Sequence, residues 1–108
     1  MDVNEVAFSI IAEAGDAKSS AMEAIAHAQE GAFAAADDAM ARCAETLSSA
    51  HEIQTGLITA EMRGEEPCAV NILMVHAQDH LMGAGLMREL AQIIIAQYRV
   101  IAKLEGKG

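Results

Sequence analysis

Residues 75–83 read VHAQDHLMG, and they place two histidines and an aspartate among aliphatic neighbours. An imidazole is a nucleophile, a proton carrier or a metal ligand, and a carboxylate is a base or a hard oxygen ligand. On a helical wheel with His76 at zero, Asp79 falls at about −60°, His80 at about +40° and Gly83 at about −20°, so the four share one face. Two readings of the cluster stand side by side: metal binding by His76, Asp79 and His80, and plain core histidines with satisfied hydrogen bonds. Histidines at i and i+4 also invite zinc. However, Ala77 stands where the HExxH motif of zinc proteases has its general-base glutamate, which excludes a protease of that type.

These residues need a scaffold. Hydrophobic residues make up 53% of the 108-residue chain but aromatics only 3%, with a single proline, so the apolar content is Ala, Ile, Leu, Met and Val, a helix-forming palette. Two breaks divide it. Gly31 in EGAF suits a left-handed helix end before Phe33, and RGEEP (63–67) combines Gly64, two acidic residues suited to a helix start and Pro67 suited to a first turn. The expected elements are helices over about 3–30, 33–63 and 67–104. Short connections make them antiparallel neighbours, an all-α up-down-up three-helix bundle filling one domain, 1–108. Gly15 is expected to mark a close helix approach, aided by Ala21, Ala24 and Ala28.

The expected third helix is apolar round most of its circumference. Ile72, Leu73, Met87, Leu90 and Ile94 lie within about 60° of His76, Val75, Met82, Leu86 and Ile93 extend the arc one way, and Ala77, Ala84 and Ile95 extend it the other. Asn71, Gln78, Arg88, Glu89, Gln92 and Arg99 gather opposite. So wide an arc needs partners from other subunits, and Asp79 would enter that interface. There it must be paired, protonated or metal-bound. Copies of Asp79 meeting on a symmetry axis would suit a shared hard cation such as Mg²⁺.

A formal charge of −9 opposes binding to phosphate backbones or anionic lipid, so nucleic acid and membrane are not expected partners. No apolar run reaches the length of a membrane span, and the acidic start does not resemble a signal peptide, which points to a cytoplasmic protein. Cys43 and Cys68 lack CxxC spacing and are expected to be buried, reduced thiols.

The stretch MVHAQDHLM (74–82) resembles the signature of the enzyme IIA component of the lactose/cellobiose class of the bacterial phosphoenolpyruvate-dependent sugar phosphotransferase system. AGDAKSSAMEAI (14–25), GAFAAAD (31–37), AHEIQTGLI (50–58) and RGEEP (63–67) are similar to the same family, in order and at similar spacing. The resemblance implies a phosphoryl carrier. In it His76 is phosphorylated on a ring nitrogen by the phosphocarrier HPr and passes the group to a cysteine of the cognate IIB protein, serving the IIC permease in uptake of a lactose-, cellobiose- or chitobiose-type disaccharide. It implies further that Asp79 lies on the axis of a homotrimer and shares one divalent ion, expected to be Mg²⁺, with its symmetry mates, and that Gln78 and His80 support the site. Gly83 and Gly85 depart from the pattern, standing where small residues including threonine or serine are expected. The rival reading is a metal-binding helical oligomer without phosphoryl transfer.

Overall fold

Each helix begins where a side chain or a glycine dictates. The computed structural model describes residues 2–65 and 69–106 and consists there of three helices without strands: α1 (Val3–Gln29), α2 (Phe33–Met62) and α3 (Ile72–Leu104). Asp2 caps α1 by accepting hydrogen bonds from the backbone N–H groups of Asn4 at 2.9 Å and Glu5 at 3.3 Å. Gly31, Gly64 and Gly106 follow the three helix ends with φ of 78°, 73° and 75°, the left-handed conformation that glycine adopts without a Cβ clash.

The third helix starts later than residue 67. Asn71 is its N-cap, accepting from the Met74 N–H at 2.8 Å, while its own amide donates to Asn4 Oδ1 at 3.1 Å. One asparagine thus sets the register of α3 and ties its start to the start of α1. Residues 69–71 are not helical, and Pro67 and Cys68 lie outside the described residues.

The core is built largely from alanine. On α1 the buried positions Ala7, Ile10, Ala14, Ala17, Ala21, Ala24 and Ala28 alternate steps of three and four, the spacing of a helix seam packed along its length. Small side chains let α1 nest between α2 and α3. It packs extensively along both, whereas α2 and α3 meet far less. Ala36, Ala39, Cys43, Leu47 and Ala50 of α2 and Met74, Ala77, Leu81, Ala84, Ala91 and Ile95 of α3 close the interior. The result is a rod of 59 × 21 × 17 Å. Gly15 does not mark a close approach within the subunit, since a Cβ there would meet nothing within 4 Å. The alanines at 21, 24 and 28 supply that approach instead.

Polar contacts fasten the far end of the rod. Arg99 donates through Nη2 to both carboxylate oxygens of Asp37, at 2.7 and 2.6 Å, and its guanidinium carbon lies 4.9 Å from the centre of the Phe33 ring. Among the described residues no helix is long and apolar enough to cross a membrane.

Candidate functional site

Ala77 decides where the chemistry faces. It is fully buried against the core, so His76, one residue and about 100° earlier, is turned out of the core and exposed. His80 follows one turn later, half-buried. The two imidazoles meet edge to face, ring centroids 4.4 Å apart at 82°, with Nε2 to Nε2 at 3.0 Å. One of these nitrogens donates and the other accepts. If His80 donates, its N–H points at the Nε2 lone pair of His76, which then carries its own proton on Nδ1. An exposed nucleophile whose tautomer is set by a neighbour can accept and release an electrophilic group.

Asp79 is exposed, and no hydrogen bond or ion pair holds it among the described residues. Gln78 lies on the side of α3 away from His76. It and Arg88 are half-buried rather than turned to solvent, because the core direction of α3 runs through Ala77 and not through His76. Gln78 lies 3.4 Å through Nε2 from Met74 Sδ and lines a groove of about 210 Å³ with Gln54, Leu57, Ile58, Glu61, Val70, Met74 and Val75. Gln54 and Glu61 come from α2, which sequence spacing on α3 alone does not bring to the site. The face centred on His76 is the border of the core: Leu73 and Met87 are half-buried, while Ile72, Leu90 and Ile94 are exposed.

Outside that border runs an apolar stripe with no partner in the subunit. Val75, Met82, Leu86 and Ile93 are exposed, Met82 to 76%, and Ile72, Leu90, Val100 and Leu104 continue the line. Asp79 sits in its path. Gly83 and Gly85 have open space where a Cβ would be, so serine or threonine would fit, and nothing in the structure explains the glycines.

No group of three or more His, Cys, Asp and Glu side chains that could hold a metal forms among the described residues. His76, Asp79 and His80 therefore do not make a metal site within one chain. Cys43 is a free, buried thiol.

Residues 5–99 match the family described as PTS system, Lactose/Cellobiose specific IIA subunit. The chain belongs to this family. It is 43% identical over 105 residues to the lichenan-specific phosphotransferase enzyme IIA component of Bacillus subtilis (strain 168), covering 97% of this chain and 94% of that protein. The crystal structure of the PTS cellobiose-specific enzyme IIA from Bacillus anthracis superposes with a TM-score of 0.89 at 42% identity, covering 100% of this chain and 95% of that one. The IIA(chitobiose) of the Escherichia coli phosphotransferase system, solved in solution in complex with HPr, is 35% identical with a TM-score of 0.79, covering 94% of this chain and 97% of the other. As a IIA-family member the chain is a phosphotransferase-system component.

Proposed function

We propose that this IIA chain is a phosphoryl carrier in which His76 takes the group from phospho-HPr and yields it to a cysteine of a cognate IIB protein, in the cytoplasm, for uptake of a lactose-, cellobiose- or chitobiose-type sugar by the IIC permease. The observation that carries the reading is the exposed His76 imidazole, 3.0 Å through Nε2 from the Nε2 of His80, on the rigid second turn of a long helix. Complex formation between a IIA(chitobiose) of the same fold and HPr supports the donor.

The lone pair on a ring nitrogen of His76 attacks phosphorus in line. The nitrogen–phosphorus bond forms as the bond to the donor's leaving group breaks, and that group departs with the electron pair. The return step mirrors this, with a thiolate of IIB as nucleophile. The reacting bonds involve little for a protein to do beyond positioning and charge stabilisation. His80 holds the acceptor tautomer beforehand. Once its partner nitrogen is phosphorylated, its N–H is free to donate to a phosphoryl oxygen. Gln78 shapes the adjoining groove, where apolar residues of α2 and α3 give a partner a shallow seat.

The unpartnered stripe of α3 makes a homotrimer the natural assembly, with Asp79 of each copy on the axis. There a divalent cation, Mg²⁺ by the hardness of its oxygen ligands, would neutralise three converging carboxylates.

The test is incubation with phosphoenolpyruvate, enzyme I and HPr, followed by intact mass at neutral to alkaline pH. Wild type and His80→Ala are expected to gain one phosphoryl group, the latter more slowly, and His76→Ala none. No gain by wild type, with HPr itself phosphorylated, would refute the carrier reading.

A further inference from the structure

The outward stripe of α3 is more regular than a greasy face needs to be. Its members, Ile72, Val75, Asp79, Met82, Leu86, Leu90, Ile93, Gln97, Val100 and Leu104, advance in steps of three and four along the whole helix. On the wheel they stay within about 40° of a common direction. Only two of them are polar. One is Asp79, which the carrier reading already uses. The other is Gln97, exposed, with no hydrogen bond among the described residues.

Eighteen residues, or five helical turns, separate the two, which puts them on one line about 27 Å apart at 1.5 Å per residue. Val100, Ile93, Ile94 and Ile101 surround Gln97 with exposed apolar surface. A polar side chain at a seam position of an associating helix weakens the assembly but selects its register and stoichiometry.

We infer that Gln97 forms a second polar layer at the interface between copies of this chain, a ring of amides that fixes α3 in parallel register around the axis. The inference rests on the reading that this stripe is the subunit interface. Its occupant is a second and third copy of the same helix. The width of the exposed apolar surface argues for two neighbours per helix, because Ile94 and Ile101 flank the seam and would be left wet by a single partner.

The chemistry of the two layers differs. Carboxylates brought together on an axis repel and require a cation or protons. An amide has both a donor and an acceptor, so each Gln97 Nε2–H can donate to Oε1 of the next copy and close the ring without any ligand. In an antiparallel pairing about the middle of the seam, the same spacing would set Gln97 against Asp79 of the partner, an arrangement the test separates.

Gln97→Cys is examined by mild oxidation and peptide mapping beside Gln92→Cys, an exposed α3 position off the seam. A 97–97 disulfide in the first and no 92–92 disulfide in the second is the expected result. Native mass of Gln97→Leu is followed on dilution. Loss of the polar layer is expected to lower the dissociation concentration on the order of tenfold and to yield more than one stoichiometry. A three-chain mass in which 97–97 cross-linking fails overturns the amide ring while leaving the trimer standing. Unchanged dissociation and a single stoichiometry in Gln97→Leu also overturn it. A one-chain native mass for wild type removes the interface itself, and the phosphorylation assay remains an independent measure of the carrier reading.

Discussion

Burial gives the two kinds of reactive side chain in this chain opposite fates. The His76 ring is thrown outward by the burial of Ala77, whereas Cys43 of α2 is itself sealed in the core. Removal from water pushes the Cys43 thiol above its ordinary value of 9.0, and the positive charge of Arg88 only partly opposes that rise. The folded protein therefore holds the thiol proton more tightly than the unfolded chain. This contribution is complete below pH 9.0 and drains away as the pH climbs through 9.0 toward the folded-state value. We expect the melting temperature of wild type to fall more steeply above that pH than that of Cys43→Ala, although the variant starts lower because it leaves a small cavity. Parallel pH profiles for the two proteins would show that Cys43 carries no such linkage. A thiol kept protonated is also a poor nucleophile.

At the scale of the helix, Asn71 supports both the bundle and the site. Its side chain satisfies a free N–H at the start of α3, and five residues later the same helix presents His76. Asn71→Ala should cost about 1 kcal/mol in urea unfolding, and Asn71→Asp should keep most of that because aspartate caps equally well. Equal stability of Asn71→Ala and wild type would remove the cap from the account. The ends of α1 and α2 were legible in Gly31 and Gly64, since each break needs the backbone conformation glycine supplies. The start of α3 was obscured by RGEEP, where acidic residues and proline mimic a first turn, while the asparagine that caps the helix stands beyond them. The convergence of His76 and His80 could be read from their spacing of four, but the direction of the core could not. Large residues such as Ile72 and Met82 dominate any hydrophobic average, yet they face outward, 88% and 76% exposed, and alanines fill the interior. Gln78 is half-buried for the same reason, because the core leans toward Ala77.

As a whole the molecule is a narrow rod with a sealed alanine interior and a second, unsealed apolar line along one edge. A single subunit thus buries its small residues and leaves large ones exposed. Each chain brings a formal charge of −9, so the proposed trimer would have to overcome repulsion, most sharply where copies of Asp79 would approach one another. In the proposed trimer a shared cation would offset that local repulsion and, binding only the assembled state, would stabilise it by mass action. Chelation is therefore expected to lower the melting temperature, by an amount that grows as the protein is diluted. Asp79→Leu replaces the converging carboxylates with apolar surface and is expected to melt at least as high as metal-loaded wild type, with no response to chelator. The measurement is a set of melting curves at several protein concentrations, with and without chelator, for both proteins. Wild-type curves that do not move in chelator would count against the axial cation, and a concentration-independent midpoint for both proteins would count against the assembly that brings Asp79 to an axis.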